Sequence, residues 1–260
     1  MKEFMNNQTQ PGDKLAEIIR FSRMIGDPQS DLTILAEGNT SVRTTEDRML
    51  VKASGANLYT SGEQDFVEVD LRMLMTLIKS GPASDEHVTS ALMEATVGGT
   101  KRPSVESLLH AVCQQIPGVT AVAHTHPVPV NALLCSDKAS YLMQGSMFPD
   151  QIVVMGKAQL LIPYIDPGLP LAQEVLARLA AHIHEHGSHP KVIYLLNHGM
   201  FALGSTPEEA LQITQMAVKV SRVMLGALSV GTPTFLAPEN ADRIHTRPDE
   251  EHRRALLAKF

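Results

Sequence analysis

The chain has 260 residues, 43% hydrophobic and 19% charged, with a formal net charge of −6. That composition fits a globular protein with a sizeable core, and the acidic balance gives it no general attraction for nucleic acid or for an anionic membrane surface. Two cysteines make no disulfide framework, so a cytoplasmic protein is expected, and neither a signal-like segment nor a run of about 18 apolar residues is read.

Residues 1–12 are polar and read as a frayed N-terminus, leaving 13–260 as one domain. Leu15, Ile18, Ile19 and Met24 are spaced for one buried helical face, which predicts a helix over 14–25 stopped by Gly26, Asp27 and Pro28. Strands are predicted at 32–35 and 49–52, with turn-rich stretches at 37–40 and 53–55, then a strand at 66–69 and a helix at 71–79. Residues 80–103 are mixed and polar. Ser104 has the chemistry of an N-cap for a helix through Leu108, Leu109 and Val112.

Pro117 and Gly118 turn the chain into an apolar run at 119–123 that carries straight into His124, Thr125 and His126. A short helix at 131–134, strands at 152–154 and 159–163, and a helix over 171–186 follow. A buried strand at 192–196 runs into Asn197, His198 and Gly199, and 200–203 continues it. Thr206, Pro207, Glu208 and Glu209 then give the ordered start signals of a long helix over 207–228. Strands and helices alternate throughout, which predicts an α/β fold: a single three-layer α/β/α domain with a central mixed sheet flanked by helices.

His124 and His126 are two apart at a strand end, so both imidazoles project from one face. An isolated His-X-His is more often a strand cap beside an exposed ring. His198, at the end of a second apolar strand, completes a three-imidazole set of the kind that holds catalytic zinc and leaves a coordination position open. Glu106 sits near a helix start, where the helix dipole favours a carboxylate whatever its other role. The glycine loops at 38–41 and 54–55 suit close approach of an anion to main-chain N–H groups, although such loops also serve as plain turns. The histidine-rich stretch 181–189 reads as a helix C-terminus closed by Gly187 rather than as a metal site.

Five segments in order, at 37–43, 52–55, 103–106, 123–127 and 196–199, resemble the class II aldolase/adducin family, which includes zinc-dependent fuculose-phosphate and rhamnulose-phosphate aldolases. The later stretches 128–136, 162–171 and 247–254 are similar to the aldolase half of bifunctional aldolase/short-chain dehydrogenase proteins, here without a dehydrogenase half before Phe260. The resemblance implies that His124, His126 and His198 are ligands of zinc, with Mn2+ or Co2+ as alternatives. It implies that Glu106 moves a proton at the carbon next to a carbonyl, and that Gly38, Asn39, Ser54, Gly55 and Ser104 cradle a substrate phosphate. It further implies a homotetramer with active sites at subunit interfaces. Val105 departs from the pattern by replacing a second serine donor, for which Lys52 or Arg43 could compensate; Tyr141 and Tyr164 are the stand-ins for a tyrosine supplied by a neighbouring subunit.

The activity so implied is reversible retro-aldol cleavage of a ketose or ketose 1-phosphate through a metal-stabilised enediolate. Decarboxylation of a 3-oxo acid, and epimerisation or dehydration of a sugar phosphate, would use the same site. The reading from another class is a non-catalytic adducin-like binding module, which would be expected to have lost the histidines that this chain keeps.

Overall fold

A computed structural model describes residues 11–257. Most of the stretch expected to be frayed, 1–12, lies outside them, and Pro11 opens the first helix. In chain order the helices are α1 (Pro11–Ile25), α2 (Leu71–Lys79), α3 (Asp85–Glu94), α4 (Ser107–Gln114), α5 (Val128–Leu134), α6 (Pro149–Met155), α7 (Leu169–His186), α8 (Pro207–Val230), α9 (Pro238–Thr246) and α10 (Pro248–Leu257). The strands are β1 (Asn39–Thr45), β2 (Arg48–Lys52), β3 (Phe66–Asp70), β4 (Thr96–Val97), β5 (Ala121–Thr125), β6 (Leu160–Ile162), β7 (Val192–Leu195) and β8 (Gly199–Gly204).

The strands form one mixed sheet in the order β4-β3-β2-β1-β5-β8-β7-β6. Among the described residues only the β6–β7 pair is parallel. Its two faces carry separate apolar clusters. One packs Leu74, Leu108, Val112, Val175 and Leu179, from α2, α4 and α7, against Val51, Val122 and Phe201. The other packs Ile18, Phe21, Ile213, Ala217 and Met224, from α1 and α8, against Val42, Ala121, Ala123 and Tyr194. This is the expected three-layer α/β/α arrangement. By length and composition α8 could cross a membrane, yet Ala210, Ile213, Ala217, Val220 and Met224 are buried against the sheet, as in a core helix.

Four local expectations give way. Residues 32–35 are not a strand: Leu32 is buried, but Ile34 and Leu35 are exposed and Leu35 turns to φ 53°. Residues 152–154 lie in α6, where Pro149 and Asp150 start a seven-residue helix too short to show a period in its apolar run Ile152–Met155. The polar stretch from Asn39 is not a turn but the start of β1, its side chains bonded inside the sheet–helix layer rather than alternating with solvent. The mixed region 80–103 contains α3 and β4.

Candidate metal centre

The central strands β1, β5 and β8 bring the site residues together. His124 pairs in register with Asn39 on one side and Phe201 on the other. His126 lies just beyond β5, and its N–H donates to the Leu32 carbonyl (3.0 Å). His198 lies in the tight connection between β7 and β8, where its N–H closes a turn on the Leu195 carbonyl (3.2 Å). Asn197 occupies the third position of that turn at φ 55°, a conformation that asparagine tolerates better than most side chains. Asn131 of α5 holds the turn from outside by donating to the His198 carbonyl (3.0 Å).

One ring nitrogen from each of His124, His126 and His198 lies within 4.8 Å of the others. Nδ1 of His124 donates to the Met200 carbonyl (3.0 Å), and Nδ1 of His126 donates to Oε2 of Glu37 (3.0 Å). Those bonds leave a lone pair on each Nε2, and the two Nε2 atoms face each other at 3.0 Å with no proton to share. Glu106 brings Oε1 to 3.2 Å from Nε2 of His124 and 3.1 Å from Nε2 of His198. Acceptors crowded in this way repel one another unless a cation lies among them. The 3.0, 3.2 and 3.1 Å spacings lie near the roughly 3.4 Å edge of a tetrahedron around zinc with ligands at about 2.1 Å. The donor set therefore fits a divalent ion. Nδ1 of His198 is buried with no hydrogen-bond partner among the described residues.

Glu106 occupies the N-cap position of α4 but makes no capping bond. Its side chain turns instead into the imidazole cluster, so the helix-dipole reading is not what places it. Burial raises its carboxyl; positive charge at the His124 and then the His198 ring would outweigh burial and hold it below the usual carboxylate range, and with the rings neutral that charge has to come from a cation among them. Ser104 is not the cap of α4. It sits one turn earlier, where its Oγ accepts the Glu106 N–H (3.4 Å) and its carbonyl accepts the Ser107 N–H (2.9 Å).

The residues expected around a phosphate divide into two groups. Ser54 and Gly55 are exposed, beside an open cavity that Asp65, Lys101 and Arg102 also line. The Ser54 N–H is tied to the Arg102 carbonyl (2.9 Å), which brings this loop alongside the segment leading to Ser104. Gly38 and Asn39 are turned inward. A Cβ at Gly38, φ 66°, would meet the His124 carbonyl at 2.8 Å, and the Asn39 side chain is committed to Glu106 (2.7 Å) and His110. Lys52 is buried and donates to the Ala36 and Ala56 carbonyls, both at 2.7 Å, so it ties the two loops together. Arg43 lies further along β1 opposite Met49. Tyr141 stacks on Phe235, and Tyr164 is exposed and donates to Asp166 (3.0 Å).

Glu37, His110 and Gln114 are functional candidates that residue spacing did not single out. His110 is fully buried, and burial, reinforced by His124, pushes its pKa down to about 3. A signal for two of them is present in the sequence: Glu106, His110 and Gln114 recur every fourth residue along a helix that is apolar otherwise, Ser107 apart. In the histidine-rich segment the rings of His182 and His186 lie 4.4 Å apart, tilted by 54°, near the end of α7, which Gly187 closes in the left-handed conformation.

The sequence model described as Class II Aldolase and Adducin N-terminal domain matches residues 16–225. The chain is 28% identical over 209 residues to the uncharacterized oxidoreductase YuxG of Bacillus subtilis, covering 76% of this chain but only 27% of that protein. It is 29% identical over 185 residues to a 3-oxo-tetronate 4-phosphate decarboxylase of Haemophilus influenzae, covering 70% of this chain and 74% of that one. Among solved structures, an L-fuculose 1-phosphate aldolase superposes with a TM-score of 0.69 at 21% identity, covering 92% of this chain and 97% of that one.

Proposed function

The chain belongs to the class II aldolase and adducin family, and from that premise we propose that it is a zinc-dependent carbon–carbon lyase that cleaves a ketose or ketose 1-phosphate by a reversible retro-aldol reaction. The observation that carries this reading is the convergence of one ring nitrogen from each of His124, His126 and His198, within 4.8 Å of one another, with Oε1 of Glu106 against the Nε2 atoms of His124 and His198. The three imidazoles would hold the zinc, which would supply Lewis-acid stabilisation of negative charge on substrate oxygens. Glu106 moves the proton at the substrate carbon whose bond is made or broken, a role worth on the order of 10²–10⁴-fold.

The exposed Ser54–Gly55 loop, with Ser104 beside it, offers main-chain and hydroxyl donors to a phosphate. Gly38 and Asn39 contribute by shaping the inner wall. The apolar Ile34 and Leu35 stand 63% and 81% exposed on the loop leading to Glu37, which supports a homotetramer with neighbouring copies closing the sites. The free, exposed Cys135 suits a reducing cytoplasm.

A second reading has a specific observation behind it: the Haemophilus influenzae relative is named a decarboxylase. A 3-oxo acid losing carbon dioxide develops negative charge at the same position as a cleaved ketose. The deciding experiment assays ketose 1-phosphates, free ketoses and 3-oxo acids, with and without added zinc, on protein whose metal content has been measured. Turnover of a ketose with about one zinc per chain is the expected result. Turnover of a 3-oxo acid alone would replace the aldolase by the decarboxylase, and protein unable to take up stoichiometric metal would remove both.

A further inference from the structure

Behind Glu106 lies a buried polar ladder between α4 and β1. Glu106, His110 and Gln114 face β1 from one side of the helix, and Asn39 and Ser41 face the helix from one side of the strand. Nδ2 of Asn39 meets Oε2 of Glu106 at 2.7 Å, and Oδ1 of Asn39 meets Nε2 of His110. Nδ1 of His110 meets Oγ of Ser41 at 2.8 Å, and Nε2 of Gln114 meets the same Oγ at 3.1 Å and the Thr120 carbonyl at 3.3 Å.

Each link has one permitted direction. A carboxylate only accepts, so Asn39 turns its amide nitrogen to Glu106 and its oxygen to His110. That oxygen only accepts, so His110 carries its proton on Nε2. Nδ1 of a neutral ring then accepts from the Ser41 hydroxyl, whose oxygen is left to accept from Gln114. The far end gives the same answer independently, because the Thr120 carbonyl demands the nitrogen of Gln114. Both ends run the donors toward Glu106.

We infer that His110, Ser41 and Gln114 are positioning residues that act through Asn39: their one-way donor chain pins Oε2 of Glu106 and leaves Oε1, the oxygen facing His124 and His198, as the one that exchanges a proton with substrate. The chain is polarised along its length, and coupled hydrogen bonds of this kind reinforce one another inside a protein. Asn39 is thereby a support for the carboxylate rather than a side-chain contact to phosphate. This inference rests on Glu106 being the proton-moving group, but its geometry is testable without turnover.

The test is long-range 1H–15N NMR of His110 in the full-length protein, metal-free and zinc-loaded. Protonation at Nε2 in both forms is expected; protonation at Nδ1 would overturn the chain. Glu106→Gln, which removes the terminal charge, is expected to shift the His110 Nε2–H resonance without changing the tautomer. An unmoved resonance would mean that the ring is merely packed there. With whichever substrate of the panel turns over, Ser41→Ala is expected to lower kcat with KM held, and Ser41→Thr, which keeps the hydroxyl, to recover it. Equal losses in both variants, or a change in KM alone, would sink the positioning role. Absence of turnover on every substrate would count against the lyase reading, while the NMR arms would still decide the ladder.

Discussion

Gly199 and His126 are in such close contact that a Cβ built at residue 199 would lie 2.4 Å from Cδ2 of His126 and 3.2 Å from its Nε2. The residue after the third histidine therefore has to be glycine for the second histidine to reach the cluster. The same Cβ would lie 2.6 Å from the Thr125 carbonyl, which cannot swing aside as a side chain can. Gly199→Ala is expected to destabilise the fold by about 1–3 kcal/mol and to abolish stoichiometric metal. Urea unfolding and metal analysis of the purified variant check this; a variant with full zinc content would show that the strand ends have more freedom than the structure gives them.

Glu37 accepts the Nδ1 proton of His126 with one oxygen and the Ile34 N–H (2.7 Å) with the other. A carboxylate in that position fixes the ring's tautomer and raises its basicity toward a cation. Glu37→Gln is expected to weaken zinc binding by roughly 10–100-fold with little change in unfolding temperature. Competition against a chelator of known affinity measures it, and unaltered zinc affinity would remove Glu37 from the site.

Glu106→Gln keeps the shape of the side chain and its bond to Asn39 but ends its service as a base. Turnover is expected to fall by on the order of 10²–10⁴-fold, while the three imidazoles still hold metal. Steady-state rates on the zinc-loaded variant decide the matter, and a fully active variant would exclude Glu106 as the proton-moving group.

Lys52 gives a pH signature. Burial pushes its ammonium down from 10.5 to about 8, against the opposing pull of Glu106, Asp65 and Glu37. In the unfolded chain it titrates at its ordinary value, so between these limits the unfolded state holds a proton that the folded state has lost. The stability contributed by this residue therefore rises with pH through that window and is level below it. Lys52→Met, which strands the Ala36 and Ala56 carbonyls, is expected to cost about 1–3 kcal/mol near neutrality. The gap between wild type and variant should then widen by up to about 1.4 kcal/mol per pH unit above about pH 8. Urea titrations at the two ends of the window measure that gap, and a constant difference would contradict the assignment.

The sequence by itself determined the residue types that can hold a cation, the α/β class and most of the long elements. The spacing of Leu15, Ile18 and Ile19, the start signals before Glu208, and His124-Thr125-His126 at the end of an apolar run are local properties, and hydrophobic periodicity and capping act over a few residues. The tertiary structure alone decided which polar groups meet. β1 begins at Asn39 despite its lack of apolar alternation, because its polar side chains are satisfied by α4 rather than by water. The register of β1 on β5 sets Asn39 beside His124, and the turn at Asn197 aims His198 back at both. Hydrogen-bond partners such as Glu37 for His126 and His110 for Asn39 lie 89 and 71 residues apart in the chain, a distance over which no local pattern carries information and only folding creates the contact.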